Sequence, residues 1–493
     1  MLGIVLILMA GFLCIPTMIG FGYREWHAAS ACGAAALVTA GLGALLAILY
    51  RGTAVGKDGR PDFFRREGLA TVGLAWIVGG VAGALPYLFE GTFTSPVDAF
   101  FESVSGLTTT GSTVMTAEQI DTMPKAIAFW RSFSQWLGGF GIVMVFVVLF
   151  PTGGRSLFRS EVPGISREAG HQRVRDSAMM LVKIYVALSL VLVMSLILSG
   201  MSNFDAVIHT FTTIANGGFS NHSESIAYFD SQLIEGVLVV FMLLSAFNFA
   251  IYDTLLRVGP RPAWKRLIGS LEARMFVGIV AAASLSIAAV LWMWDGPPDA
   301  NAEHYGDPLE ALRDSVFQVT CIITTAGYAT ENFDAWPQFC RITLMLLAFF
   351  GACAGSTSGG LKLVRVAIVV KAALVTVRRF ARPRVVHQVR IDGQSIDETI
   401  TASVTGYLVL WVAVFVAATT LVASFGRLDL ESSATAVVAT LNNVGPGLGA
   451  VGPMENFSGL HDVSKLALSF CMVLGRLEFY ALVVLLMPSF WKR

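Results

Sequence analysis

The chain has 493 residues, 55% of them apolar and only 14% charged, with a mean hydropathy of +0.67 and no net charge. A water-soluble protein of this length would expose too much apolar surface, so the composition indicates an integral membrane protein. The zero net charge gives no support to a nucleic-acid partner. The six scattered cysteines form no C-x-x-C pair, which disfavours zinc, iron–sulfur and redox sites.

Ten stretches are apolar over about 20 residues, the length that a helix needs to cross the hydrocarbon core of a bilayer. The first, from Leu2 to Phe21, has no basic leading region and no small-residue cleavage site, so we interpret it as a retained helix rather than a signal peptide. In chain order the predicted spans are 2–22, 31–50, 68–90, 127–150, 181–200, 232–256, 273–294, 341–371, 400–425 and 463–488.

Four apolar stretches between these spans are too short to cross. Each has about eleven residues, or about 16 Å of helix at 1.5 Å per residue, which suits insertion half-way into the membrane. Acidic residues lie at or near their starts, as helix N-termini prefer. The predicted half-helices are 98–108, 205–214, 312–324 and 432–442, with Asp98, Asp205, Glu310, Asp314 and Glu431 as the acidic residues.

A short loop that ends in glycine follows each half-helix. Successive glycines are 106, 110 and 118 residues apart, so one unit of span, half-helix, glycine loop and span occurs four times. We predict an all-α membrane protein of ten transmembrane helices, with an N-terminal helix pair (1–67) before four pseudo-symmetric pore repeats (68–150, 151–257, 258–371 and 372–493). The loops are Thr108-Thr109-Thr110-Gly111, Ile214-Ala215-Asn216-Gly217, Thr324-Thr325-Ala326-Gly327 and Asn442-Asn443-Val444-Gly445.

Lysine and arginine predict the orientation. Of 34 such residues, 26 lie in the connections 51–67, 151–183, 257–274 and 362–390 and in the last two residues. These basic segments alternate along the chain, so the positive-inside rule places both termini in the cytoplasm and all four short hairpins on the outer side. Because every unit crosses twice, the four loops can converge on one axis.

Such a ring of loops has the chemistry of an ion-selectivity filter. A cation that enters the bilayer exchanges its water shell for oxygen ligands, which inward-turned backbone carbonyls provide where glycine permits the conformation. The loops contain no carboxylate, which disfavours a calcium-type site, and glycine at all four matched positions favours potassium over sodium. The candidate filter residues are Thr109, Thr110, Gly111, Ala215, Asn216, Gly217, Thr325, Ala326, Gly327, Asn443, Val444 and Gly445.

The eighth span contains a second candidate element. Its centre, about 15 Å from Arg341 along a helix, holds four glycines and three Ser or Thr residues, a composition that does not sustain a helix. One interpretation is a kink used for packing; the other is an intramembrane loop beneath the filter that obstructs the pore. The candidate gating residues of this segment are Gly351, Gly355, Ser356, Thr357, Ser358, Gly359 and Gly360. Lys362, just after it, is either part of that gate or a cytoplasmic anchor, and we favour the anchor.

Arg476 lies about 18 Å into the last predicted span, where a charge needs water or a partner. We predict that it faces the cavity, repels cations and hydrogen-bonds to the glycine-rich segment. The alternative is a buried carboxylate partner away from the pore, although Glu478, two positions on, points to the opposite side of the helix. We expect Arg131 to snorkel to the outer interface. Glu102, His209 and Gln318 lie on half-helices, where they either contact the ion or pack and form hydrogen bonds behind the filter, and we favour the second role.

Rival functions find little support. Gly447–Gly452 matches the dinucleotide pattern G-x-G-x-x-G but has no preceding strand and no acidic residue at the expected distance. A membrane-bound enzyme would need a cluster of catalytic residues, and the seven histidines are dispersed. We therefore predict no enzyme activity and no cofactor on this chain, with a potassium ion as the transported ligand.

The chain resembles the Trk/Ktr/HKT superfamily of potassium transporters over nearly its whole length. The extra helix pair at its start is similar to the Trk type rather than the shorter Ktr type. The stretches that carry the resemblance are FWRSFSQWLGGFGI (129–142), EVPG (161–164), GGFS (217–220), GACAGSTSGGLK (351–362), LNNVGPGLGAVGP (441–453) and GRLE (475–478).

The resemblance implies potassium uptake across a bacterial cytoplasmic (inner) membrane, and it supports the gating interpretation of the glycine-rich segment. It also implies a homodimer in which each subunit has its own pore, resting on a cytoplasmic nucleotide-binding regulatory ring. Asn216 and its neighbours depart from the more hydroxyl-rich second loop of the family, which bears on ion affinity. The cluster Arg378, Arg379, Arg382 and Arg384 suits either anionic membrane lipid or that ring. Whether transport is coupled to sodium or protons stays open.

Overall fold

The computed structural model describes residues 1–49, 65–149, 171–294, 307–382, 388–426, 428–477 and 479–491. Within these ranges the chain is mostly helical, and the strands are two pairs of two residues each. The helices are α1 (Leu2–Gly22), α2 (Trp26–Leu49), α3 (Arg65–Glu90), α4 (Pro96–Leu107), α5 (Ala117–Thr122), α6 (Lys125–Leu149), α7 (His171–Leu198), α8 (Asn203–Ile214), α9 (Gln232–Ala246), α10 (Phe249–Val258), α11 (Pro260–Gly269), α12 (Leu271–Met293), α13 (Pro308–Ile323), α14 (Gln338–Ala348), α15 (Leu363–Ala381), α16 (Glu398–Gly426), α17 (Leu430–Leu441), α18 (Asp462–Arg476), α19 (Tyr480–Leu486) and α20 (Pro488–Trp491).

Six helices of the described residues (α1, α2, α3, α7, α12 and α16) are long and apolar enough to cross a membrane. The bent pair of α9 and α10 makes a seventh if it counts as one span. The predicted spans 341–371 and 463–488 are each interrupted, after Ala348 and after Arg476. The total of ten crossings and the division into four repeats stay predictions.

The predicted span 232–256 is not one straight helix. It turns by 87° between α9 and α10. Phe247 is extended there, and the side chain of Asn248 accepts a hydrogen bond from the Ala250 amide (2.8 Å), so a new helix begins. No glycine or proline lies at this bend, which explains why composition did not predict it.

The four half-helices are present, within four residues of their predicted bounds, as α4, α8, α13 and α17. We call them the first to fourth pore helices. Each begins at a residue whose side chain accepts a hydrogen bond from a backbone amide of the first turn, which satisfies a donor that a helix start leaves free. These N-cap residues are Ser95, Ser202, Asp307 and Asp429. The pKa of the Asp429 carboxyl is lowered, chiefly because Ser432 donates hydrogen bonds to it.

Contacts between neighbouring units close a ring. Helix α6 of the first unit packs against the second pore helix, and α9 of the second unit packs against the third pore helix. Helix α14 of the third unit then packs against the fourth pore helix, and α18 of the fourth unit returns to the first. Each pore helix therefore also packs against a helix of the neighbouring unit, and these contacts bring the four pore helices together in the core.

The strands are small and local. Phe350–Gly351 (β1) pairs in parallel with Leu361–Lys362 (β2), and Arg390–Ile391 (β3) pairs antiparallel with Gln394–Ser395 (β4). The turn of the second pair holds Asp392, whose side chain accepts a hydrogen bond from the Leu271 amide at the start of α12 (2.8 Å). A short hairpin is thereby attached to the beginning of a long helix.

Several predicted features lie outside the described residues. They are the EVPG motif at 161–164, most of the connections 51–67 and 151–183, Arg384, Glu478 and the last two residues.

Candidate functional site

The four pore helices end in the same way. The residue after each C-cap is left-handed, with φ of 55° at Thr109, 53° at Asn216, 61° at Thr325 and 56° at Asn443. The amide of the next residue bonds to a carbonyl five positions back, which is the Schellman arrangement for stopping a helix. These bonds run from Thr110 to Ser105 (2.9 Å), and from Gly217 to Thr212, Ala326 to Cys321 and Val444 to Ala439 (2.8 Å each). Because the four pore helices end with the same geometry, the backbone leaves each of them in the same way.

Two of these left-handed positions carry threonine, which disfavours the conformation, and two carry asparagine, which tolerates it better. An L-residue in this conformation costs about 1–2 kcal/mol, and a β-branched threonine is a marked outlier. Glycine usually occupies this point of the motif. Thr and Asn stand here instead, so the surrounding contacts stabilise a backbone conformation that is strained at the two threonines.

Two residues further along, each loop has a glycine with positive φ: Gly111 (87°), Gly218 (72°), Gly327 (73°) and Gly445 (110°). A Cβ on any of them would press on a backbone carbonyl oxygen of the next loop. The oxygens belong to Gly217, Ala326, Val444 and, for Gly445, Thr110. Each loop therefore abuts the next one along the chain, and the fourth abuts the first. We call this closed arrangement the loop ring.

The ring corrects the predicted alignment of the second loop. Gly218, not Gly217, is the counterpart of Gly111, because it has the positive φ and the interloop contact. Gly217 takes the place of Thr110, and Ala215 takes the C-cap place of Thr108. The signal that could have found this is the two-residue step from Asn443 to Gly445, which from Asn216 leads to Gly218.

Side chains behind the ring hold its backbone. Gln135 of α6 donates to the Gly217 carbonyl (2.7 Å) and accepts from the Phe219 amide (3.2 Å). Ser112 Oγ donates to the Gly445 carbonyl (2.7 Å), which joins the first loop to the fourth. These bonds restrain the ring from outside, as an oriented set of carbonyls requires.

A buried ion pair adds to this support and corrects the prediction for Arg131. Its side chain does not snorkel but lies 3% exposed, with Nε 2.7 Å from a Glu102 carboxylate oxygen. Its Nη1 donates to the Ser220 carbonyl (2.6 Å), and the guanidinium stacks over the Phe219 ring. Glu102 also accepts from Thr113 and Val114, so the pair ties the first pore helix to two loops.

The predicted hydrogen bonding of other polar residues on the pore helices is confirmed. Besides Glu102, His209 contacts the Ser220 hydroxyl (3.1 Å), and Gln318 contacts the Thr330 hydroxyl (3.1 Å). All three side chains are buried. Each joins a pore helix to the segment that follows its own or a neighbouring loop.

The glycine-rich segment interrupts the third unit as predicted. Helix α14 ends at Ala348, α15 begins at Leu363, and the short parallel pair of β1 and β2 closes the segment between them. We call residues 351–360 the intramembrane loop. Gly355 and Gly360 have φ of 71° and 74°, which a side chain would strain.

This loop lies directly against the loop ring. Thr357 Oγ1 accepts from the Asn216 side-chain amide (2.9 Å) and donates to the Ile214 carbonyl (3.0 Å). The Gly359 amide donates to Thr325 Oγ1 (3.0 Å), and a Cβ on Gly359 would be 2.7 Å from Asn443 Cβ. Three of the four left-handed residues of the ring are thus in contact with the intramembrane loop.

Arg476 reaches the same loop. It is the last residue of α18 and only 3% exposed. Nη1 donates to the Thr357 carbonyl (2.8 Å) and Nη2 to the Gly138 carbonyl (3.2 Å). The predicted hydrogen bond to the loop is confirmed, and these two partners are carbonyls rather than the alternative carboxylate.

Two further charged residues hold the ends of the intramembrane loop. Lys362 is buried, and its Nζ donates to the Ser358 carbonyl (2.5 Å), so its assignment as a cytoplasmic anchor is wrong. Glu272 Oε1 accepts from the Ala354 amide (2.8 Å) within the loop and from the Val364 amide (3.2 Å) in the first turn of α15. Sequence reasoning missed Glu272, because an acidic residue at the edge of a span looks like an ordinary helix start.

Some buried oxygens around the ring have no hydrogen-bond partner within the described part of the chain. They include Thr109 Oγ1, Asn442 Oδ1 and Asn443 Oδ1. They belong to the first and fourth loops, at the C-cap and the left-handed positions. The described residues also hold no group of three or more His, Cys, Asp or Glu suited to a tightly bound metal ion. The site thus presents neutral oxygens rather than carboxylates.

Known proteins are similar to this chain in sequence. Residues 52–493 match the sequence model of the family described as TrkH, cation transport protein. The chain is 36% identical over 495 residues to the Trk system potassium uptake protein TrkH of Escherichia coli strain K12, covering 99% of this chain and 98% of that protein. It is 32% identical over 434 residues to TrkG of the same strain, covering 87% and 86%.

A solved structure is also similar over almost its whole length. The crystal structure of the potassium transporter TrkH from Vibrio parahaemolyticus aligns with a TM-score of 0.86 at 34% identity, covering 99% of this chain and 98% of that one. The family consists of transport proteins, so the chain is a transporter component and not an enzyme. By sequence and by structure, the chain belongs to the TrkH family of cation transport proteins.

Proposed function

We propose that this chain takes up potassium ions across the cytoplasmic membrane of a bacterium. The observation that carries the proposal is the closed loop ring, in which every glycine of positive φ abuts a carbonyl of the next loop. Four backbone segments in one ring can replace the water shell of a monovalent cation with oxygen ligands. The uptake of potassium by the named relatives supports the choice of ion.

The filter is formed by the left-handed residue, the residue after it and the glycine of each loop. In the second loop these are Asn216, Gly217 and Gly218. The absence of carboxylates from the four loops favours a monovalent over a divalent ion. The unpartnered oxygens of Thr109 and Asn443 are available as further ligands on the side of the intramembrane loop.

The intramembrane loop is the gate in this proposal. It rests on the side chains at the C-terminal ends of the pore helices, so an ion leaving the ring in that direction meets it. Arg476 holds the loop through the Thr357 carbonyl and places a positive charge beside the path. Opening requires these hydrogen bonds to break, which a partner protein could drive.

Orientation and assembly complete the proposal. Both termini are cytoplasmic, and the filter faces the outside, in keeping with the positive-inside rule. The chain acts as a homodimer on a cytoplasmic nucleotide-binding regulatory ring. The names of the relatives, which describe a Trk system, support a transporter of more than one component.

The test is uptake of rubidium or potassium by vesicles that contain the purified chain, with and without sodium or a proton gradient. We expect uptake driven by a negative interior potential, with rubidium and potassium preferred over sodium. Sodium uptake at an equal rate would favour the alternative, a sodium-permeable or sodium-coupled transporter of the same fold. A lack of cation-selective flux, even in a variant with a weakened gate, would overturn the proposal.

A further inference from the structure

A cavity of about 500 Å³ lies between the end of α9 and the helices α10 and α11. Its walls are almost entirely apolar and include Leu244, Phe247, Tyr252, Ala263 and Leu267. The volume falls within the range of pockets that bind small molecules. An apolar space of this size in a membrane protein suits a hydrocarbon chain better than a polar solute.

The edge of the cavity is basic. Arg261 lines it, and Lys265, one helical turn further along α11, lies on the same face. Both are exposed, and within the described residues neither has an ion-pair partner. Trp264, between them, is 63% exposed. Exposed Trp and basic residues on one short helix are typical of a helix that lies in a membrane interface facing anionic lipid.

The wall of the cavity is also the support of the intramembrane loop. At the bend between α9 and α10, the Ala246 carbonyl accepts from the Cys353 amide (3.2 Å), and the Phe249 amide donates to the Gly355 carbonyl (3.1 Å). Phe247, between these two residues, lines the cavity. The bend between α9 and α10 therefore contacts the intramembrane loop and also lines the apolar cavity.

We propose that this cavity binds an acyl chain of an anionic phospholipid, with Arg261 and Lys265 at the headgroup phosphate. The bound lipid stabilises the bend and thereby the docked position of the intramembrane loop. The second statement rests on the proposed function, since it takes the docked loop as the closed gate. The first does not, because it concerns binding alone.

Lipid binding is tested by fluorescence of the full chain in vesicles of phosphatidylcholine, with and without an equal part of phosphatidylglycerol. Bromine on the acyl chains of one lipid at a time quenches nearby tryptophan. The Trp264→Phe variant measures the contribution of the other nine tryptophans. We expect Trp264 to be quenched more by brominated phosphatidylglycerol than by brominated phosphatidylcholine. Equal quenching by both lipids would mean ordinary boundary lipid and would overturn the proposal.

Two variants locate the site. Arg261→Ala with Lys265→Ala should weaken the preference for the anionic lipid by about fivefold for each charge removed. The matched control, Arg378→Ala with Arg382→Ala, removes two other exposed charges from α15 and its C-cap and should leave Trp264 quenching unchanged. An equal loss of the preference for anionic lipid in both variants would contradict the site. So would quenching of Trp264 that vanishes as the protein concentration rises, because a second copy of the chain would then fill the cavity.

Filling the cavity tests the link to the gate. Ala263 is a buried lining residue, and Ala263→Phe should reduce quenching by brominated chains while leaving the charges in place. We expect phosphatidylglycerol to lower rubidium flux by about threefold in the parent chain and to have no effect in this variant. Leu267→Phe serves the same purpose if Ala263→Phe lowers the unfolding temperature.

The two readouts separate the proposals. Quenching without any cation flux would sustain the lipid site and refute the proposed function. Flux that does not respond to phosphatidylglycerol, with quenching intact, would refute the link between lipid and gate.

Discussion

The loop ring and the intramembrane loop are in contact, yet they are held in different ways. Each position of the ring occurs four times with the same backbone geometry, and each loop is wedged between two others. The intramembrane loop is a single segment, held by individual hydrogen bonds that Asn216 and Arg476 donate and that Thr325 and Glu272 accept. Repetition makes the ring hard to deform, whereas the single loop can leave when a few bonds break.

Magnitudes support this contrast. A net hydrogen bond contributes about 0.5–1.5 kcal/mol, and one to a charged group about 1.5–3 kcal/mol. Movement of the intramembrane loop breaks a small number of such bonds, and the binding of a partner can supply the free energy that this requires. Movement within the ring would instead force four packed backbones apart, and packed cores do not deform gradually. In the proposed function, selection and gating therefore fall to neighbouring parts of unequal stiffness.

The largest expected effect comes from the ring. Gly218→Ala places a side chain at a φ of 72° and against the Ala326 backbone carbonyl, which has no room to move. The left-handed conformation alone costs about 1–2 kcal/mol, which lowers the population of the native ring geometry about tenfold, and the clash adds to this cost. We expect cation flux in vesicles to fall by more than about a hundredfold, while the same strain lowers the thermal unfolding temperature by only about a few degrees.

Gly217 is the matched control for this prediction. A Cβ there would lie 2.5 Å from Gln135 Cδ, at the movable end of a side chain. Gly217→Ala should therefore lose less flux than Gly218→Ala, and adding Gln135→Ala should restore part of it. If Gln135→Ala also rescues Gly218→Ala, the corrected alignment of the second loop is wrong.

The next largest effect is on the gate. Arg476→Ala removes a hydrogen bond from a charged group to the Thr357 carbonyl, which should shift the balance toward an undocked loop by about tenfold or more. Basal rubidium flux should rise accordingly, while the ratio of potassium to sodium flux stays unchanged.

Two other substitutions at Arg476 separate charge from hydrogen bonding. Arg476→Lys keeps the positive charge but cannot bridge the Thr357 and Gly138 carbonyls as a planar fork does. If repulsion of cations dominates, the lysine variant should resemble the parent; if the bridge dominates, it should resemble the alanine variant. Unchanged flux in both variants would exclude Arg476 from the gate.

A smaller effect is expected at the ends of the intramembrane loop. Glu272→Gln keeps the shape of the side chain and its acceptor oxygen but removes the charge that accepts from Ala354 and Val364. Charge-assisted hydrogen bonds are about twice as strong as neutral ones, so basal flux should rise by about fivefold. Glu310→Gln, on the third pore helix away from this contact, is the control. A fall in flux in the Glu272 variant would show that the carboxylate holds the open form instead.

Local patterns predicted the elements that depend on local chemistry. Short apolar stretches with acidic starts indicated the four pore helices, and the composition of 351–360 indicated the break in the third unit. The depth of Arg476 in an apolar stretch indicated its contact with that break, because a buried charge needs a partner.

What the sequence did not predict depends on tertiary contacts. Arg131 pairs with Glu102, 29 residues away on another helix, and no helical period links them. The bend after Ala246 arises where the intramembrane loop docks, not at a glycine or proline. Gly217 and Gly218 are adjacent, and apart from the two-residue step from Asn216 only the backbone conformation and the contacts with the neighbouring loops distinguish them.

The smallest effect tests whether the hairpin of β3 and β4 transmits to the gate. Asp392 accepts from the Leu271 amide, next to Glu272, so it caps the start of the helix that holds the intramembrane loop. Loss of such a cap destabilises the start of the helix by about 1 kcal/mol. We expect part of this destabilisation to weaken the docking of the intramembrane loop on Glu272, so Asp392→Ala should raise basal flux by about twofold. Asp392→Asn keeps an acceptor oxygen and should behave like the parent. If both variants match the parent in basal flux but are no longer stimulated by the proposed regulatory partner, the hairpin contacts that partner and does not act as a helix cap. The loop ring, which is stiff, would then be regulated entirely through the intramembrane loop.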